Sequence, residues 1–215
     1  MKNIVLIAAP AAGKGTLSEL LEKKYNYVHI STGDLLRNVS QEKSELGKKI
    51  SNMLKKGQLI DDEIVFELLE KRLNKADTLN GYILDGFPRT LEQAKKYNEI
   101  LKKLNKDLGI VIVLNTDYEI LKKRIVGRLL CSNCGSIYNT LTGNNPSVEN
   151  ICDKCGSALY KRSDDNEESF KQRYDVYLEK TKPLIEYYQE FGSLFYVDSS
   201  DKDSMLKSVE EILND

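Results

Sequence analysis

The chain has 215 residues, 30% of them charged and 40% hydrophobic, which suits one large domain or a core with insertions. Folding at this size buries roughly 70% of the unfolded surface, so disulfide staples are not required. The 32 basic and 33 acidic residues nearly cancel, which excludes a broad nucleic-acid or membrane footprint, and a single histidine, His29, excludes a histidine-rich metal site.

In chain order, residues 2–8 read as a buried strand and 13–24 as a helix with Leu17, Leu20 and Leu21 at helical spacing. Residues 28–30 form a second strand, Thr32 caps a helix through Asn38, and a helix over 44–56 stops at Gly57. Asp61 caps the next, through Asn74, with Ile64, Val65, Leu68, Leu69 and Leu73 as its apolar stripe. A strand over 82–84 and a helix over 90–104 follow. The continuous apolar run 110–114 marks a central strand, and 117–130 is helical. Residues 166–191 form a long helix kinked by Pro183, with a last strand at 194–197 and a last helix at 202–213. This alternation predicts an α/β fold: a parallel sheet with helices on both faces. Two stretches break the rhythm and read as insertions, 31–60 and about 128–163.

Residues 1–12 hold an apolar run but no small-residue cleavage site, and no apolar stretch reaches the ~18 residues of a membrane span. A cytoplasmic protein is the expectation. There, paired cysteines favour metal over disulfide. Cys131-Ser-Asn-Cys134 and Cys152-Asp-Lys-Cys155 are two C-x-x-C knuckles with seventeen residues between them, each followed by glycine, Gly135 and Gly156. That spacing matches a closed tetrahedral four-cysteine zinc site, a structural one; two disulfides or a redox pair are the alternatives.

The segment Ala8-Ala-Pro-Ala-Ala-Gly-Lys-Gly-Thr16, between a strand and a helix, is a phosphate-cradle arrangement: backbone N–H groups and the helix dipole face an anion, and Lys14 reaches it as a point charge. Two positions depart from the strict pattern, Ala8 for the first glycine and Gly15 for the hydroxyl residue. The same residues also describe a small-residue turn that binds nothing.

Five ordered motifs give these pieces a common frame: Gly13-Lys14-Gly15-Thr16, Ser31-Thr-Gly-Asp-Leu-Leu-Arg37, Asp85-Gly-Phe-Pro-Arg89 with Gln93, Arg124-Ile-Val-Gly-Arg128, and Arg162-Ser-Asp-Asp165 with Arg173. In these the chain resembles the adenylate kinases, of the bacterial type with a long zinc-binding lid. The resemblance covers essentially the whole chain. It implies a P-loop NTPase-like core with a five-stranded parallel sheet over residues 1–30, 61–127 and 165–215, a helical AMP-binding insertion over 31–60, and a zinc-ribbon-like lid over 128–164. The implied reaction is ATP + AMP ⇌ 2 ADP with Mg²⁺, in a monomer with no nucleic-acid or membrane partner.

The resemblance also implies the roles. Ala11, Ala12, Gly13, Lys14, Gly15 and Thr16 cradle ATP, with Arg124, Arg128, Ile137 and Tyr138 closing on it. Thr32, Arg37, Leu59, Ile60, Gly86, Phe87, Arg89 and Gln93 take AMP, with Arg162 and Arg173 shared at the transferring group. Asp85 helps hold Mg²⁺ through water. Arginine suits phosphate because its planar fork binds two oxygens, and lids suit phosphoryl transfer because water must be excluded. Six of the seven arginines fall at these positions, leaving Arg72 outside. The family loop reads G-x-P-G-x-G-K-G-T, so Ala8 and Ala11 stand at two of its glycines; Ala8, at the strand end, is expected to be the costlier. Asp164 and Asp165 also read as caps of the helix at Asn166. A different acceptor base, a GTP donor, or a weakened nucleotide-binding module remain alternatives.

Overall fold

The computed structural model describes residues 1–55, 60–162 and 164–214. Five strands, β1 (Ile4–Ala8), β2 (Val28–Ser31), β3 (Tyr82–Asp85), β4 (Ile110–Asn115) and the later β8 (Leu194–Asp198), form one parallel sheet in the order β2-β3-β1-β4-β8. The alternation of side chains along each strand divides the core. Ile4, Leu6, Ile110, Ile112 and Leu114 enter one apolar cluster, and Val5, Ile7, Val111 and Val113 the other. A run apolar at every position thus serves two faces at once, as in strands covered by helices on both sides.

The first cluster is closed by α1 (Lys14–Tyr25), α6 (Tyr118–Val126) and α9 (Lys202–Asn214), through Leu17, Leu21, Leu121, Ile125, Met205 and Val209. The second is closed by α4 (Asp62–Leu73), α5 (Leu91–Lys103) and α8 (Leu184–Gln189), through Leu69, Leu73, Tyr97, Ile100, Leu184 and Tyr188. Burial of one such side chain contributes about 1.5–3 kcal/mol. A short 3₁₀ turn, Ala76–Asn80, leads into β3. Among the described residues no helix is long and apolar enough to cross a membrane.

Apart from Ser31, which ends β2, the described residues of both expected insertions stand outside this sheet. The first carries α2 (Thr32–Ser40) and α3 (Glu45–Lys55), packed on each other. The terminator predicted at Gly57 lies outside the described residues. The second forms a small antiparallel sheet, β6-β5-β7, from β5 (Arg128–Cys131), β6 (Ile137–Asn139) and β7 (Leu159–Tyr160). The helix expected over 117–130 therefore ends at Val126, and Arg128 starts a strand. Gly127 caps the end of α6, and a Cβ there would collide with Asn139 Oδ1.

Local expectations are corrected at three caps and one kink. Ser31, not Thr32, caps α2, its hydroxyl accepting from the Asp34 N–H at 3.3 Å, while Thr32 Oγ1 donates to the Gly86 carbonyl at 3.0 Å. Asp61 occupies the N-cap of α4 but makes no side-chain cap bond; its carboxylate pairs with Lys49 at 2.7 Å instead. Asn166 caps α7 (Glu167–Val176) through Ser169 N–H at 2.9 Å, which releases Asp164 and Asp165 from that duty. The kink is a π-turn over Tyr177–Thr181, where Lys182 N–H donates back to the Tyr177 carbonyl at 2.8 Å, so the helix widens just before Pro183, the N-cap of α8.

Candidate functional site

The C-terminal ends of β1 and β3 carry the chemistry, as open parallel sheets dictate. After β1, Ala9–Ala12 close a turn through Ala12 N–H to the Ala9 carbonyl at 3.3 Å. Pro10 takes the position that prefers a fixed φ, and Ala11 takes the next with φ +64°. Ala11 is therefore in a left-handed conformation that favours glycine, whereas Ala8 ends an ordinary strand paired with Leu114. The expectation that Ala8 is the costlier departure is reversed. Gly13 follows at φ +94°, and α1 starts at Lys14 with no acidic residue in its first turn, leaving the N-terminal N–H groups and helix dipole to an anion.

Lys14 gathers charge. Burial pulls its ammonium below the ordinary lysine value; Asp85 opposes that, and Arg89, Arg173 and Arg128 add repulsion. Burial alone would raise Asp85, but His29, Lys14 and Arg89 together hold its carboxyl below the usual aspartate range. His29 Nε2 stands 3.5 Å from Asp85 Oδ2, buried and with no hydrogen-bond partner among the described residues. Asp85 is thus an ionised carboxylate facing a cluster of cations, a donor of the kind a hard divalent cation accepts.

Arg89 is set by its own loop. Its Nε donates to the Gly86 carbonyl at 2.7 Å, its N–H donates to Gln93 Oε1 at 2.8 Å, and its carbonyl accepts from Thr181 at 3.0 Å. Burial lowers its guanidinium pKa, Asp85 opposes, and nearby Arg37 adds repulsion. Gln93 Nε2 donates to Asp62 at 2.7 Å, so both ends of this amide are engaged within the protein. Phe87 is buried against Phe66 and Tyr97, Ile60 is half-buried, and Leu59 lies outside the described residues.

Carboxylates hold several of the arginines, a role not anticipated from sequence. Arg128 Nε and Nη2 form a two-pronged pair with the fully buried Asp165, at 2.8 and 2.5 Å. Arg173 pairs with Asp164 at 3.0 Å, and Arg37 Nε with Asp34 at 3.1 Å. The run Asp164–Asp165 beside Arg162 was the available signal; its partners lie too far along the chain for spacing to reveal. Arg162 is half-buried at the base of the insertion. Arg124 stands apart: Nη2 donates to the carbonyls of Ser199 and Ser200 at 2.8 and 2.7 Å, and Nη1 is buried with no partner among the described residues. Arg72 also uses its fork, on Asp77 at 2.8 and 2.9 Å, as a purely structural clamp.

In the second insertion the four cysteine sulfurs lie within 4.8 Å of one another, with Cys131–Cys155 at 3.4 Å and Cys134–Cys152 at 3.6 Å. All four are free cysteines in this structure. A tetrahedral ion with ~2.3 Å metal–sulfur bonds needs sulfurs about 3.8 Å apart, so the donor set fits one. Tyr138 is buried beneath it, its hydroxyl 3.5 Å from Cys152 Sγ and accepting from Asp153 N–H at 2.8 Å. Its side chain thus belongs to the small core of this insertion, while neighbouring Ile137 is 40% exposed.

The family model described as adenylate kinase matches residues 6–193. Adenylate kinase of Thermosipho africanus is 49% identical over 212 residues, covering 98% of this chain and 99% of that protein. Those of Thermosipho melanesiensis and Archaeoglobus fulgidus are 45% and 44% identical over the same length, covering 99% and 97% of those proteins. The parallel sheet, the phosphate loop and the full-length similarity lead to one conclusion: the chain belongs to the adenylate kinase family of phosphotransferases.

Proposed function

We propose that the enzyme catalyses ATP + AMP ⇌ 2 ADP with Mg²⁺, as a cytoplasmic monomer. Residues 1–30, 61–127 and 165–215 act as the core, 31–60 close over AMP, and 128–164 close over ATP. The observation that carries this reading is the loop between β1 and α1, whose helix N-terminus is free of acidic residues, set beside the paired strand β3 that ends in Asp85 and leads into the Gly86–Arg89 turn. An AMP phosphate oxygen attacks the terminal phosphorus of ATP; the bond to the β-phosphate oxygen breaks, and its electron pair leaves with ADP. The AMP phosphate is already anionic, so no general base is needed, and the work is positioning and charge neutralisation.

Arg37 and Arg89 hold the AMP phosphate; Lys14, Arg124, Arg128, Arg162 and Arg173 neutralise charge along the ATP phosphates and at the transferring group. Gln93 exchanges its bond with Asp62 for the adenine of AMP, next to Thr32, Gly86, Phe87, Leu59 and Ile60. Backbone N–H groups from Ala11 to Thr16 cradle the ATP phosphates, and Ile137 with the Tyr138 backbone covers its base. Bound Mg²⁺, held through water by Asp85, would neutralise phosphate charge in the transition state. Cys131, Cys134, Cys152 and Cys155 hold a structural zinc, since all four positions of a tetrahedral site are filled by protein.

One coupled assay tests the reading: ADP formation from ATP with AMP, GMP, CMP or UMP in turn. AMP is expected to be the preferred acceptor. A better acceptor among the others would reassign the base, and absence of product with all four would overturn the kinase reading.

A further inference from the structure

Glu19 sits on α1, a few residues past the phosphate loop. Its Oε1 receives Lys23 Nζ from its own helix at 2.6 Å and Lys154 Nζ from the second insertion at 3.3 Å. Lys154 lies between Cys152 and Cys155, so the backbone that carries it is the knuckle itself. The insertion is also tied to the core at its base, by Arg128–Asp165 and by Asn139 Nδ2 to the Arg124 carbonyl at 2.7 Å. Among the described residues, Glu19–Lys154 is the one ion pair that runs from a knuckle to the core.

We propose that Glu19 and Lys154 are positioning residues that latch the lid: the metal-bound knuckle presents Lys154 to α1, and the pair holds the lid's Arg128 over the phosphate loop. This rests on the reading of residues 128–164 as the ATP lid. The latch is weak by construction. The two side chains are 45% and 52% exposed, and pairs of that kind shift an equilibrium about 1.5- to 5-fold. That bias favours closure over bound ATP and still lets ADP leave. It also gives the cysteine cluster a role in lid position, because loss of the metal loosens the backbone that carries Lys154.

The test is saturation kinetics on intact, metal-loaded protein for the wild type, Glu19→Gln, Lys154→Gln, Glu19→Lys and the charge-exchanged pair Glu19→Lys with Lys154→Glu. Each neutralised variant should raise KM for ATP about 1.5- to 5-fold. KM for AMP at saturating ATP, and metal content, should not change. The exchanged pair should recover ATP affinity relative to Glu19→Lys alone. In about 1 M salt, where the screening length falls to about 3 Å, wild type and Glu19→Gln should converge. Glu19 lies outside the lid, so its variant carries the test even if Lys154→Gln loses metal. Unchanged KM for ATP in Glu19→Gln, an equal rise for AMP, no recovery on exchange, or an effect indifferent to salt would each overturn the latch while the kinase reading stands. Calorimetry on the wild type separates the two, since failure to bind ATP at all would overturn both.

Discussion

Ala11 concentrates a conflict between local preference and the loop's geometry. Its φ of +64° is the conformation in which an L side chain crowds its own backbone, at a cost of about 1–2 kcal/mol. Ala11→Gly is therefore expected to stabilise the fold by about 1 kcal/mol, the strain relieved exceeding the chain entropy gained by the unfolded state. For a chain of this size that raises Tm by roughly 2–4 °C, readable by calorimetry. Ala8→Gly should lower Tm, because a strand residue loses packing and gains freedom. A gain at residue 8 and none at 11 would place the strain at the strand end and not in the turn. Asp85 makes a second prediction, on pH. Its folded pKa is depressed, so its contribution to stability is complete above the unfolded aspartate value of about 3.9 and is lost as pH falls through the folded one. Melting curves of chelated, nucleotide-free protein between about pH 6 and 3 should show a shallower acid loss for Asp85→Asn than for wild type. Identical slopes would remove Asp85 from the acid transition.

Elements behave differently according to what closes them. The five core strands were legible almost to the residue because long apolar runs bounded by turn residues leave few alternatives. The 117–130 helix was overextended because Arg128-Leu-Leu-Cys131 continues a plausible helical pattern; it pairs as a strand because Leu129 and Leu130 meet β6 and β7. The apolar cluster of this insertion is small, Cys131, Tyr138, Cys152 and Leu159 with Leu129 against it, so the structural-zinc proposal makes its folding depend on the metal. Chelation is expected to lower Tm, and metal analysis to give about one zinc per chain. A metal-free protein with an unchanged melting curve would contradict the structural-zinc reading.

For the whole molecule, the proposed function divides the work between two nucleotide sites, with Arg89, in the loop after β3, assigned to the acceptor and Lys14, at the start of α1, to the donor. Arg89→Ala should cut phosphoryl transfer sharply, by 10²-fold or more on the order of a lost transition-state donor, with ATP binding measured by calorimetry little changed. Equal loss of ATP affinity would mean that the two sites are exchanged. The carboxylates Asp34, Asp164 and Asp165 fix Arg37, Arg173 and Arg128 in turn, so under the proposed function phosphate binding would exchange one anion for another rather than order a loose side chain.

What the sequence determined by itself was local order: an α/β core, two interruptions of its rhythm, a small-residue loop between β1 and α1, four cysteines in two knuckles, and seven arginines. These were legible because periodicity, turn residues and ligand spacing are local. Tertiary structure alone decided the strand order β2-β3-β1-β4-β8, the pairing of Arg128 with Asp165, the seat of Arg124 on Ser199 and Ser200, and the torsion that makes Ala11 rather than Ala8 the strained residue. Each depends on groups brought together across tens of residues or on a backbone angle, and neither leaves a pattern along the chain.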